Sequence, residues 1–118
     1  MSGAGAPVAA LSFDARRMVK FAATTRIADG MACSTPDTEA LEHMLHGVEH
    51  IVRVTDEQTE AAMRAYFSDT HNVAEGAAGA GLAAVLREGP AVAGKRIGVV
   101  FTGGNVDADK FAHVLAGK

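Results

Sequence analysis

Five histidines, one cysteine and a few hydroxyls and carboxylates are the groups in this 118-residue sequence whose types could do chemistry, and their spacing separates them. His43 and His46 stand three apart, as a helical pair sharing a metal ion would. No cysteine accompanies them and no His-Glu-Xaa-Xaa-His pattern occurs, so they read as solvated surface residues. His50 directly precedes a β-branched run, and His71 and His113 have no ligating neighbour in sequence. No metal site is expected. Cys33, within Met31-Ala32-Cys33-Ser34, has no identifiable base and reads as a small buried hydrophobe, not a nucleophile. Ser12, Ser68 and Asp69 form no nucleophile elbow.

Two places keep a chemical reading open. Thr102-Gly103-Gly104-Asn105 follows an apolar run directly, where α/β sheets gather ligands at the carboxyl ends of their strands. Its glycines permit close backbone approach, and the Thr102 hydroxyl can both donate and accept; an ordinary strand-to-helix turn would look the same. Glu75, between Ala74 and Gly76, heads an apolar segment where a lone carboxylate is costly unless it is paired, sits at a helix N-terminus, or works. Gly76-Ala77-Ala78-Gly79-Ala80-Gly81 superficially resembles a dinucleotide fingerprint. The glycine order is reversed and no strand immediately precedes it, so these glycines read as close helix packing.

The elements that must position these groups can be read from patterning. Residues 1–10, small and flexible, suggest a loop or the frayed stub of a preceding element, with a short helix from residue 8 to about 17. Residues 20–27 are ambiguous. Thr35-Pro36 with Asp37 and Glu39 predicts a helix start, and Leu41, Met44, Leu45 and Val48 give that helix one apolar face. Residues 50–54 read as a strand, and Thr55-Asp56-Glu57-Gln58 as a capping box opening a helix that runs to about Thr70. Residues 74–86 predict a helix so apolar that it must be buried all round. Residues 97–101 predict a parallel strand covered on both faces, and Asp107 the cap of a last helix carrying Phe111, Val114 and Leu115.

The resulting fold class is α/β, a partial three-layer fold with a small, mainly parallel sheet and several helices, in one domain spanning residues 1–118. Two confident strands bury too little of each other, so further strands are expected from elsewhere in the polypeptide or from another subunit. A net charge of −3 with scattered basic residues excludes a nucleic-acid footprint. No stretch approaches the roughly 20 apolar residues that span a bilayer, and one cysteine excludes a disulfide framework. A cytoplasmic location is expected.

Five ordered blocks carry a resemblance: Thr25-Arg26-Ile27-Ala28-Asp29-Gly30-Met31-Ala32, His50-Ile51-Val52-Arg53-Val54-Thr55-Asp56-Glu57, Ala61-Ala62-Met63-Arg64, Asn72-Val73-Ala74-Glu75-Gly76-Ala77 and Thr102-Gly103-Gly104-Asn105-Val106-Asp107. Over about residues 6 to 116 the chain resembles the C-terminal portion of the pyridoxal-phosphate threonine dehydratase and serine racemase family, of the tryptophan synthase β type (fold type II). The resemblance implies β-elimination of water from a hydroxy amino acid with loss of ammonia. It implies that Thr102 faces the pyridine nitrogen of the cofactor, that Glu75 lies near the ring, that the Gly30 backbone approaches it, and that Gly103 and Gly104 shape the loop beneath.

The family's Schiff-base lysine, in a Ser-Xaa-Lys-Xaa-Arg-Gly-Ala type motif, and its glycine-rich phosphate loop do not occur in this sequence; none of Lys20, Lys95, Lys110 or Lys118 has those flanks. No catalytic residue is therefore expected here, and pyridoxal phosphate belongs to a complete enzyme, not to this chain alone. The acidic residue that binds a divalent cation in some relatives would align at or before Met1. The expectation is a C-terminal fragment of a threonine or serine ammonia-lyase, inactive alone, that meets a complementary N-terminal half or forms a homo-oligomer. A noncatalytic self-association or partner-binding module and a small-anion binder at the Thr102 turn are the alternatives.

Overall fold

A computed structural model describes residues 2–3 and 5–117. In chain order its elements are β1 (Ser2–Gly3), α1 (Val8–Ala15), a 3-10 turn (Asp29–Met31), α2 (Thr38–Gly47), β2 (Arg53–Val54), α3 (Asp56–Thr70), α4 (Gly76–Glu88), a second 3-10 turn (Gly89–Val92) and α5 (Ala108–Leu115). The fold is a helix-rich α/β arrangement whose sheet, among the described residues, consists of β1 and β2 paired in parallel with Ser2 opposite Arg53 and Gly3 opposite Val54. Within the stretch expected to be a loop or the frayed stub of a preceding element, Ser2–Gly3 forms a two-residue strand; Met1 and Ala4 lie outside the described residues.

Local chemistry fixes the helix boundaries. The α2 helix begins at Thr38, two residues beyond Pro36, because the extended Asp37 turns its carboxylate onto the Ala40 N–H at 3.0 Å and becomes the cap. At α3 the expected capping box is complete: the Gln58 N–H donates to Thr55 Oγ1 at 3.2 Å, and the Thr55 N–H donates to Gln58 Oε1 at 3.0 Å. Glu57, exposed in the same first turn, has its carboxyl held below the usual glutamate range, first by backbone N–H donation and then by the Thr55 hydroxyl. The α3 helix stops where His71 turns left-handed at φ 57°, which its sequence does not announce. Asp107 stands at the N-cap of α5, but its side chain makes no capping hydrogen bond.

The core lies where α3 and α4 face one another, and it is built from small side chains. One cluster gathers Ile27, Ala28, Met63, Ala74, Ala78 and Val114, and a second gathers Val54, Ala62, Ala80, Ala83 and Ala84. Such a core forms only if the helices approach closely. A Cβ at Gly79 would stand 2.8 Å from Met63 Cγ and 3.1 Å from the Thr59 carbonyl, and one at Gly76 would run into the Ile27 carbonyl. The glycine run of α4 is thus a packing device. Arg64 ties α3 to α5 by donating from Nη1 to the Val114 carbonyl at 2.8 Å, satisfying an acceptor at the end of α5.

Three expectations need correction. Residues 97–101 form no strand among the described residues. Val99 seats over Gly81 and Phe101 meets Tyr66 edge to face at 5.2 Å, but Val100 is 78% exposed, since no strand lies alongside to pair and cover it. The α4 helix is buried or half-buried from Gly76 to Val85 but not to its end: Leu86 is 59% exposed. Cys33 is free and exposed, facing an apolar groove beside Pro36 and Met44 instead of lying in the core.

Candidate functional site

Two loops and two helix starts converge on one cleft of about 100 Å³, bordered by Gly30, Glu75, Gly76, Asn105, Asp107 and Lys110. The loop before Gly30 is held by the first turn of α3. Asp56 accepts from Thr25 Oγ1 at 2.7 Å and from the Arg26 N–H at 3.0 Å, while Thr25 Oγ1 accepts from the Ala28 N–H at 3.2 Å. The carboxylate that begins a helix thereby fixes a segment 30 residues earlier. Gly30 then sits over α4, where a Cβ would lie 3.4 Å from that of Ala77.

Glu75 is the N-cap of α4 by backbone geometry, yet its side chain makes no capping hydrogen bond. Its own N–H donates to the Gly103 carbonyl at 3.0 Å, and its carboxylate lies against Gly103, where a Cβ would stand 2.9 Å from Oε1. At Gly104 a Cβ would come within 2.5 Å of the Val73 carbonyl. Gly104 is therefore required by contact with the Val73 backbone, while Gly103 meets only the movable end of the Glu75 side chain, and the Thr102 turn lies along the start of α4. Of the five residues singled out from sequence, Gly30 and Glu75 line the cleft, and Gly103 meets Glu75 directly. Gly104 rests on the neighbouring backbone, and Thr102 is exposed next to the cleft without lining it.

The cleft also contains residues that sequence patterning does not single out. Lys110 Nζ reaches Asp29 Oδ2 at 2.6 Å across its mouth. The only advance signal is the position of Lys110 in the opening turn of a helix, where a cation opposes the helix dipole. The five histidines are all exposed: His50 Nε2 pairs with Glu88 Oε1 at 2.6 Å, His43 with Glu39 at 3.7 Å, and no group of three metal-ligating side chains occurs among the described residues. No helix among them is long and apolar enough to cross a membrane.

The cleft thus brings together glycine backbone at Gly30 and Gly76, a carboxylate at a helix start and, against that carboxylate, the Gly103 turn. For one side of a cofactor of the pyridoxal phosphate kind the fit rests on Gly30 and Glu75, which line the cleft, and on Gly103, whose backbone lies against Glu75; the exposed Thr102 is outside the lining.

Comparison with known proteins agrees in kind. The family model described as "Pyridoxal-phosphate dependent enzyme" matches residues 1–103. Phenylserine dehydratase of Ralstonia pickettii is 33% identical over 112 residues, which are 94% of this chain and 34% of that protein. L-threonine ammonia-lyase of Thermotoga maritima is 33% identical over 89 residues, covering 75% of this chain and 22% of that protein. Maize serine racemase superposes with a TM-score of 0.82 at 23% identity, over 98% of this chain and 37% of that one, a likeness of fold. The chain thus spans about a third or less of the length of the curated relatives named here.

Proposed function

Because this chain belongs to the family of pyridoxal-phosphate dependent enzymes, we propose that it forms one wall of the cofactor site of a hydroxy amino acid ammonia-lyase, of the threonine or serine dehydratase kind, and does not turn over alone. One observation carries this reading above the others: the Glu75 N–H to Gly103 carbonyl hydrogen bond of 3.0 Å, which joins two sequence blocks 28 positions apart into one surface. In a complete enzyme Gly30, Gly103, Glu75 and Thr102 would hold the cofactor, the first two as open backbone, Glu75 as a carboxylate beside it and Thr102 as a hydroxyl donor. A neutral hydroxyl gives a hydrogen bond without handing over a full proton, so the ring stays a moderate electron sink. Pyridoxal phosphate, when bound, supplies electron withdrawal from the α-carbon of the amino acid.

The group that would hold the cofactor covalently and move the α-proton is a lysine in a motif absent from these 118 residues, so a complete site needs a further segment, in the same polypeptide or another, that carries that lysine and the phosphate loop. Mixing the purified chain with an N-terminal half of a related dehydratase and measuring oxoacid release from threonine tests the proposal. Activity in the mixture and in neither part supports it; none in any pairing removes the enzymatic role.

The exposed Val100 and Leu86 favour a second reading, a noncatalytic module that self-associates through residues 97–101 and the exposed end of α4. Light scattering on a size-exclusion column distinguishes it, since a stable monomer at high concentration contradicts self-association.

A further inference from the structure

Lys110 stands in the opening turn of α5, whose N-terminal end is the positive pole of the helix dipole, so an ammonium there is opposed by its own helix. Its side chain crosses the cleft and places Nζ 2.6 Å from Asp29 Oδ2, a contact between residues 81 apart in sequence. Asp29 opens the 3-10 turn that contains Gly30, and α5 begins at Ala108, four residues after Gly104. The pair therefore ties together the two segments that bring backbone to the cleft. The lysine is the more sheltered member, 31% exposed against 70% for Asp29. Lys110 is also the one cation among the described lining residues, which include the carboxylates of Asp29, Glu75 and Asp107.

We propose that Lys110 is a positioning residue: through Asp29 it latches the Gly30 turn to the start of α5, setting the width of the cleft and offsetting the negative charge around it. The latch rests on the cofactor-wall reading for its purpose, and its existence is measured without any cofactor. A loosened latch frees the Asp29–Met31 turn, whose hydrogen bonds run from the Met31 N–H to the Ala28 carbonyl at 2.9 Å and from the Ala32 N–H to the Asp29 carbonyl at 3.0 Å.

Amide hydrogen exchange on the full chain is the test. In Lys110→Met and Asp29→Asn, exchange at Met31 and Ala32 should quicken by about two- to five-fold, the range of a partly exposed ion pair, while the Val48 amide of α2 keeps its rate. Lys110→Arg should retain the protection, the exchanged pair Asp29→Lys with Lys110→Asp should regain it, and salt at about 1 M should erase the difference. Unchanged exchange in Lys110→Met, or an increase shared equally by Val48, would overturn the latch. Titration of the same variants with pyridoxal phosphate in the reconstituted mixture reports separately on the cofactor wall.

Discussion

Glu75 and Gly103 meet twice, once through the Glu75 N–H on the Gly103 carbonyl and once through the Glu75 carboxylate, which fills the space a side chain at position 103 would need. The start of α4 and the turn after residue 102 are thereby a single surface, and the glycines on it differ in what they face.

That difference predicts unequal costs for two neighbouring substitutions. At Gly103 the added methyl meets the movable end of the Glu75 side chain, whereas at Gly104 it meets the fixed carbonyl of Val73. Gly104→Ala should therefore destabilise by about 1–3 kcal/mol and Gly103→Ala by clearly less, as read from denaturant midpoints. Gly103→Ala should nonetheless displace the Glu75 carboxylate from its place beside the turn.

A second contrast concerns helix glycines. Gly76→Ala drives a methyl into the Ile27 carbonyl beneath α4, so it should cost about 3 kcal/mol or more. Gly47 ends α2 in open space, with no atom close enough to meet an added methyl and no positive φ, so Gly47→Ala should be neutral or stabilising by up to about 0.5 kcal/mol. Thermal unfolding of the two variants should move in opposite directions or leave Gly47→Ala unchanged.

Loss of the capping box should weaken α3 and, through Asp56, the loop that carries Gly30. Thr55→Ala removes the acceptor of the Gln58 N–H and should cost about 1 kcal/mol. Thr55→Ser keeps that acceptor and should recover most of the loss in the same denaturation measurement.

Acid should act on the same helix start. The carboxyl of Glu57 titrates below its ordinary range in the folded chain because backbone N–H donation and the Thr55 hydroxyl favour its charged form. Its stabilisation is therefore complete above the unfolded glutamate pKa of about 4.3 and disappears as the pH falls through the lower folded value. Glu57→Gln should lower stability slightly at neutral pH, where the charged form is the stabilising one, and flatten part of the stability loss below about pH 4.3. Denaturant midpoints measured across that range read both effects.

Much of this architecture is legible in the sequence where the signal is local. The Thr55-Asp56-Glu57-Gln58 box fixes the start of α3, and the Gly76, Gly79 and Gly81 spacing announces tight packing, because both depend on side chains a few residues apart. What is not legible depends on neighbours distant in the chain. Residues 97–101 have the composition of a buried strand, but strand pairing is a property of two segments, and none lies beside them among the described residues. Cys33 has the type of a core residue, yet α1 and α2 leave a groove there. The Lys110–Asp29 contact spans 81 positions and obeys no spacing rule.

A chain that supplies a cofactor wall without the anchoring amine should hold pyridoxal phosphate covalently only through its partner. Incubating the chain with pyridoxal phosphate, reducing with borohydride, and locating the modified lysine by peptide mass spectrometry, with and without an N-terminal half, tests this most directly. The expected result is no selective modification of Lys20, Lys95, Lys110 or Lys118, and stoichiometric modification of the partner's lysine in the mixture. Stoichiometric labelling of one lysine of this chain alone, accompanied by oxoacid release from threonine, would contradict it.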